Sequence, residues 1–357
     1  MADDTIRKEG EVLTQADVVN ICQALKKHQL RLLSLRECTM EGSDLQRVLK
    51  LAGSCQSLHQ LTFNVGMISL PRHVELLSAC VAKNNSLTGL HLHGSSLGDD
   101  GIQLLGKSLV SHPGIISLDI GDCQLGDVAV DVLYDLLLPE NNRPALVELT
   151  MSANPRISGQ GWARLSMAIA NCTSLRMLML DYNSLGDYGA SCILVAVAAA
   201  QNMEVLDMEG CGLSEHTAQL ILHLVQNHLG GLSKIVLHGN KVKKSTVDAI
   251  KTYLRENHMD TESETTASEL DVTLSSVTSQ TTDDSSTRQA EKTSSVSGST
   301  ETETESDDDT STIKGSAAEE YVKALSAKEE DQGEEKEKDD DEDSLGEELT
   351  EVPVFYA

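Results

Sequence analysis

The stretch Leu175–Leu185, which reads LRMLMLDYNSL, decides the fold of this chain. Leu178 and Leu180 alternate with other residues as in a β-strand, so the pattern places both leucines on one side of a short strand. Asn183 follows where the chain has to turn. We expect its side chain to bond backbone groups that would otherwise be buried without partners.

Residues 186–200, GDYGASCILVAVAAA, complete the unit with a predicted helix. Ala190, Ile193 and Val197 recur at helical spacing and indicate one apolar face. Gly186 permits the bend between the strand and the helix, and Asp187 is the predicted N-cap residue. One strand followed by one helix is therefore the predicted building block.

The same unit occurs eight times, at first-position spacings of 28, 29, 28, 31, 29, 28 and 29 residues. The units begin at Leu30, Leu58, Leu87, Ile115, Leu146, Leu175, Met203 and Leu232. This period and the L-x-x-L-x-L-x-x-N-x-L pattern are typical of leucine-rich repeats. The predicted fold class is α/β: a solenoid arc with parallel strands inside, helices outside and a disordered acidic C-terminal tail. Strands pack closer together than helices do, and this difference curves the array.

Repeats of 28 and 29 residues with Cys or Asn at the turn resemble the ribonuclease-inhibitor class of leucine-rich repeats. The L-G-D-x-G segments at Leu97–Gly101 and Leu185–Gly189 strengthen that resemblance, which covers roughly residues 14–258. Within the class, the stretches Ser152–Pro155 and Leu180–Asn183 resemble the family of leucine-rich repeat-containing protein 73. The resemblance implies the fold and supplies no activity.

The domain prediction divides the chain into four parts. Residues 1–13 are expected to be disordered, and 14–29 to form an N-terminal cap helix that starts at Thr14. The eight repeats occupy 30–258. Residues 259–357 are rich in Ser, Thr, Glu and Asp, and such a segment cannot bury enough apolar surface to offset the entropy of ordering, so it is predicted to be disordered.

Charge is unevenly distributed along the chain. The formal net charge is −28, and residues 260–357 alone contain 30 acidic and 7 basic residues. The last repeat is basic in contrast, with Lys234, Lys241, Lys243, Lys244, Lys251 and Arg255. This cluster is too local, in too acidic a chain, to indicate nucleic-acid binding. It is either a solvated end of the solenoid or a surface that the acidic tail covers.

The eight cysteines show no C-x-x-C spacing, which argues against a zinc site. Free thiols at predicted core positions favour a reducing compartment. The polar N-terminus, MADDTIRKEGE, is not a signal peptide, and no apolar run of about 18 residues occurs. We therefore expect a monomeric protein of the cytoplasm, with the nucleus as a second location, that is not secreted and binds no membrane.

Candidate binding residues lie on the predicted inner face. His91 and His93 face the same way with Asp119 one strand over, which is either a transition-metal site or a hydrated polar patch. These three residues and Asp122 are also predicted to bind a protein partner. Over repeats six and seven the inner face becomes acidic. The predicted protein-binding residues there are Met179, Asp181, Tyr182, Asp207 and Glu209.

No motif of a nucleotide-binding loop, hydrolase elbow or metalloprotease helix occurs, so no catalytic residues, metal or cofactor are predicted. In the tail, a Ser or Thr followed three residues later by an acid suits acidophilic kinases. The candidate phosphorylation sites are Thr261, Thr302, Ser306 and Ser344.

Three functions fit these features. The first is a non-enzymatic protein-interaction scaffold that uses the curved repeat surface, with the tail as a regulatory or second binding segment. The second is a GTPase-activating protein of the Ran-regulating type, because such proteins also join this repeat class to an acidic tail. The third is a chaperone of basic proteins that acts through the tail.

Overall fold

The computed structural model describes residues 4–138, 144–200 and 202–262, with side chains up to 255. Strands and helices alternate strictly in this part of the chain. The strands are β1 (Thr5–Glu9), β2 (Leu32–Arg36), β3 (Gln60–Asn64), β4 (Gly89–His91), β5 (Ser117–Asp119), β6 (Glu148–Thr150), β7 (Met177–Met179), β8 (Val205–Asp207) and β9 (Lys234–Val236). The helices are α1 (Gln15–Lys26), α2 (Gly42–Ala52), α3 (Pro71–Lys83), α4 (Gly98–Val110), α5 (Val128–Leu137), α6 (Gly159–Asn171), α7 (Gly186–Ala200), α8 (Glu215–Asn227) and α9 (Lys244–Glu262).

The strands form one parallel sheet in chain order, from β1 to β9. Leu178 pairs with Leu149 on one side and with Leu206 on the other, and all three leucines are buried. Each strand thus places its leucines between the sheet and the helices, and stacked repeats share one continuous core. The predicted α/β leucine-rich repeat solenoid is confirmed.

The N-terminal segment corrects one prediction. Residues 1–13 were expected to be disordered, but Thr5–Glu9 form the edge strand β1, with Ile6 opposite Leu33 of β2. The Lys8 ammonium forms ion pairs with Glu11 at 3.0 Å and with Asp17 at 3.3 Å. None of the residues of β1 is buried as the strand leucines of the repeats are, so its sequence carries no leucine pattern that would reveal it.

Helix α1 has Thr14 as its N-cap residue, as predicted. The Thr14 hydroxyl accepts from the Asp17 backbone N–H at 3.2 Å, and an Asp17 carboxylate oxygen accepts from the Thr14 N–H at 2.9 Å. This reciprocal capping box lowers the pKa of Asp17 to about 2, mainly through the hydrogen bonds from Thr14. Val18 and Ile21 on the inner face are buried against the core.

Each strand is followed by a residue in the left-handed backbone region. These residues are Gly10, Glu37, Val65, Gly94, Asp122, Ala153, Tyr182, Gly210 and Gly239. The turn therefore imposes φ between 48° and 71° whether or not the residue is glycine. At the non-glycine positions this conformation costs free energy, and the packing of the neighbouring repeats has to maintain it.

The predicted role of Asn183 is confirmed. Its Nδ2 donates to the carbonyl oxygens of Leu180 at 2.8 Å and Met151 at 3.0 Å, and its Oδ1 accepts from the backbone N–H of Asn154 at 2.8 Å. The side chain is almost completely buried. It therefore joins the turns of two repeats by satisfying backbone groups that have no access to water.

The predicted N-cap role of Asp187 is wrong. Asp187 lies in the first turn of α7, and its carboxylate accepts from the N–H of Ser214 at 2.8 Å and the hydroxyl of Thr217 at 2.5 Å. Gly186, at φ 58°, starts the helix one residue earlier, so the carboxylate points to the start of the next helix, α8. Glu215 repeats this contact one unit later with the N–H of Lys243 at 2.7 Å. These acids therefore link successive repeats.

Trp162, the single tryptophan of the chain, is a core residue, whereas the C-terminal tail is only partly described. Trp162 is fully buried, and a Cβ built on Gly189 of α7 would lie 3.3 Å from its Cβ, so the tryptophan packs between α6 and α7. Of the tail predicted to be disordered, residues 259–262 instead continue α9, and residues 263–357 lie outside the described residues. Within those residues, no helix is long and apolar enough to cross a membrane.

Candidate protein-binding surface

The face of the sheet that points away from the helices carries three columns of side chains. The strand register places Met179 beside Thr150 and Asp207, as the repeat alignment predicts. It also reveals a column that the sequence prediction did not include, at the first residue of each strand. Its members over the last five strands are Ser117, Glu148, Met177, Val205 and Lys234.

His91, at the end of β4, and His93, two residues further on, make separate contacts. His93 Nδ1 lies 3.6 Å from Asp119 Oδ1, and this carboxylate is the main reason for its raised pKa. Gly121 makes room for the ring, because a Cβ there would lie 2.4 Å from His93 Nδ1. His91 instead contacts the Gln60 amide nitrogen at 3.2 Å and the Ser117 hydroxyl at 3.4 Å.

These contacts give the centre of the face the character of a hydrogen-bonded polar patch. Burial lowers the pKa of His91, whereas the pKa of His93 is raised. Asp122 is exposed at the turn beyond β5, and its backbone N–H donates to the Ser152 carbonyl at 2.7 Å. Among the described residues, no group of three or more His, Cys, Asp or Glu is arranged to hold a metal ion.

The remaining candidates come together on β7 and β8. We define the acidic–methionine patch as Met177, Met179, Asp181, Tyr182, Val205, Asp207 and Glu209. The structure brings all five residues predicted for this region into it and adds Met177 and Val205 from the column that the prediction missed. Apolar side chains thus lie among carboxylates on one sheet face.

Tyr182 is held in place from two sides. Its hydroxyl donates to Glu209 Oε1 at 2.6 Å, and this bond raises the pKa of the phenol. Its ring lies over Gly210, where a Cβ would be 2.8 Å from the nearest ring carbon. Tyr182 is nevertheless 57% exposed, which leaves an aromatic surface available to a partner.

The carboxylates of the patch are also fixed. Asp207 Oδ1 accepts from the backbone N–H of Glu209 at 2.9 Å, and Asp181 accepts from the Ser152 hydroxyl. Desolvation raises the pKa of Asp207, and the charges of Asp181 and Glu209 raise it further. In the described part of the chain, none of these three acids forms an ion pair.

Comparison with known proteins agrees with the fold. Leucine-rich repeat-containing protein 73 of Homo sapiens and that of Rattus norvegicus are each 39% identical to this chain over 262 residues, which cover 73% of this chain and 83% of theirs. The chain belongs to the leucine-rich repeat-containing protein 73 family. No family model matches it.

More distant relatives fit that family assignment. Ribonuclease inhibitor of Mus musculus is 30% identical over 178 residues, covering 47% of this chain and 37% of the inhibitor. The solved structure of the yeast Rad7 and Elc1 complex matches with a TM-score of 0.51 at 14% identity, over 70% of this chain and 60% of the other, which shows the fold alone. Membership among these ribonuclease-inhibitor-type proteins supports a protein-interaction scaffold at the general level.

The candidate phosphorylation sites are not among the residues whose side chains the structure describes. Thr261 is in the last turns of α9, beyond the residues whose side chains are described. Thr302, Ser306 and Ser344 lie outside the described residues. They stay predictions.

Proposed function

We propose that the protein is a non-enzymatic scaffold whose acidic–methionine patch binds a basic segment of a partner protein. The observation that carries the proposal is the set of Asp181, Asp207 and Glu209, three fixed carboxylates that form no ion pair within the described residues. Desolvation raises the pKa of Asp207, and repulsion from Asp181 and Glu209 raises it further. Lys or Arg side chains of a partner would relieve that repulsion on binding.

The apolar members of the patch indicate what else the partner presents. Met177, Met179 and Val205 are partly exposed, and methionine adapts its flexible side chain to partners of different shape. Tyr182 adds an aromatic ring at the edge. A basic segment with one or two apolar side chains would match this combination of charge and apolar surface.

Quantitative affinity capture from a native extract tests the proposal. The variant Asp181→Lys/Glu209→Lys reverses two patch charges, and we expect it to lose the principal captured proteins. The matched control Glu75→Lys/Asp135→Lys makes the same net charge change at exposed positions on α3 and α5. If both variants retain the same proteins as the original chain, the patch is not the binding site.

The same capture with a truncated protein distinguishes partners of the repeats from partners of the tail. The truncation should follow Glu262, because α9 continues to that residue. Partners retained by residues 1–262 bind the repeats, and partners lost with the tail bind residues 263–357.

The GTPase-activating and chaperone functions remain alternative predictions, as does the cytoplasmic and nuclear location. Acceleration of GTP hydrolysis by a small GTPase would favour the first alternative. Salt-sensitive histone binding that disappears with residues 263–357 would favour the second.

A further inference from the structure

The last repeat leaves one side of the solenoid open. Strand β9 pairs only with β8, and no described element follows α9. Core residues of this repeat are slightly exposed, with Ile235 at 8% and Leu254 at 5%, whereas Leu206 one repeat earlier is at 0%. An open end of this kind usually needs a cover.

A basic stripe on α9 lines this open side. At 100° per residue, Lys244, Lys251 and Arg255 fall within about 40° of one another on the helix. Among the residues with described side chains, the exposed Asp248 is the one acid in the same sector of α9. Thr246 lies roughly 160° away from that stripe, and its hydroxyl contacts Glu215 at 2.7 Å and Gln219 at 3.2 Å, both on α8. Because Thr246 faces α8, the basic stripe faces the opposite way, toward the position of a next repeat.

Three more lysines adjoin the stripe at β9 and the turn that follows it. Together we call these residues the basic end face: Lys234, Lys241, Lys243, Lys244, Lys251 and Arg255. All six are exposed, and within the described residues none forms an ion pair. Asp248 and Glu215 offset part of this charge, and the end of the array keeps an excess of positive charge.

We propose that the basic end face is a docking site for the chain's own acidic segment Glu301–Asp309. This segment, ETETESDDD, contains six acidic residues and no basic residue. The chain leaves α9 at Glu262, within the same repeat, so only residues 263–300 separate the two. These 38 residues span up to about 130 Å, far more than the roughly 28 Å length of α9, so the connection permits the contact.

Covalent connection favours this occupant over a separate acidic protein. A tethered segment is present at a high effective concentration beside the end face, so several weak ion pairs suffice to hold it. Thr302 and Ser306 lie inside the segment, and a phosphate on either would add about −1.5 to −2 charge and tighten the contact.

Carbodiimide crosslinking of the full-length protein, which joins a carboxylate to a nearby lysine, tests the proposal. Trypsin releases the docking segment within the single peptide 293–314, because it cleaves after Lys292 and Lys314 and no Lys or Arg lies between them. We expect this peptide to be linked mainly to Lys241 and Lys243 in 0.05 M salt, with a yield that falls above roughly 0.2 M.

Variants that leave those two reacting lysines in place measure the contribution of charge. Lys244→Gln/Lys251→Gln/Arg255→Gln should lower the yield at Lys241 and Lys243 about fivefold. The charge-preserving Lys244→Arg/Lys251→Arg should leave the yield unchanged. The control Lys26→Gln/Lys50→Gln/Lys107→Gln removes three exposed lysines from α1, α2 and α4 and should also leave it unchanged.

An equal mixture of ¹⁴N- and ¹⁵N-labelled protein distinguishes links within one chain from links between copies. Links within one chain support the proposal. Links between isotopes only, links spread evenly over all exposed lysines, or an unchanged yield in the triple glutamine variant would each overturn it.

Discussion

Replacing Asn154 by alanine removes the most heavily bonded side chain of the repeat turns. Asn154 is fully buried. Its Nδ2 donates to the carbonyls of Ile120 at 3.0 Å and Met151 at 3.1 Å, and its Oδ1 accepts from the N–H groups of Cys123 at 3.2 Å and Leu125 at 3.0 Å. The substitution removes these four hydrogen bonds, while the Met151 carbonyl keeps Asn183 Nδ2 as a second donor.

The magnitude follows from those four groups. At about 1 kcal/mol for each lost hydrogen bond, we expect Asn154→Ala to lower the free energy of unfolding by about 4 kcal/mol. Cys211 occupies the equivalent turn position, and its thiol donates to the carbonyls of Leu180 and Glu209. Because thiols are weak donors, Cys211→Ala should cost about 1 kcal/mol.

Urea denaturation followed by far-ultraviolet circular dichroism measures these differences. The control is Asn171→Ala, which removes an exposed amide with one bond to the Met167 carbonyl and should change the free energy of unfolding by less than about 0.5 kcal/mol. A loss below about 1 kcal/mol for Asn154→Ala, or a loss equal to that of Cys211→Ala, would refute the assignment of the asparagine as the stabilising element of the turn.

Three further predictions concern ionisation and backbone strain. Contacts with Thr246 and the Lys243 N–H lower the pKa of Glu215 to about 2. The ionised carboxylate therefore stabilises the fold fully above about pH 4.5, and this stabilisation is lost as the pH falls toward 2. Glu215→Gln should make the melting temperature less dependent on pH over that range. Val65 is a β-branched residue at φ 53°, and Val65→Asn should raise the free energy of unfolding by about 1 kcal/mol in the same urea assay, whereas a loss would contradict the strain argument. Desolvation raises the pKa of Asp207, so its ionisation weakens the fold as pH rises; Asp207→Asn should raise the melting temperature at pH 7, lose this advantage near pH 3, and lower partner capture.

Much of this fold follows from the sequence because its period is local. Leu178 and Leu180 specify which side of the strand is buried, and a spacing of 28 or 29 residues repeats that decision in every unit. The inner columns are therefore predictable: Met179 and Asp207 are neighbours across β7 and β8, as the alignment of repeats requires. No tertiary information is needed to place them.

The errors arise where contacts cross from one unit to another or where the repeat pattern ends. Asp187 has the residue type and position of an N-cap, but its partners, Ser214 and Thr217, lie 27 and 30 residues further along the chain. Strand β1 lacks a leucine pattern because none of its residues is buried. Gly121 and Gly210 were not singled out either, since only the structure shows the His93 and Tyr182 rings above them.

The repeat architecture separates the residues that stabilise the fold from those that define its surface. The buried leucines and turn asparagines bond or pack within the array, so the inner-face residues contribute little to the core and are free to differ between repeats. Asp207 occupies such a position at an electrostatic cost, with two acidic neighbours and no ion pair in the described chain. An arrangement that lowers stability while it fixes three carboxylates is the arrangement expected of a binding surface, because a structural role alone would be served better by a neutral side chain.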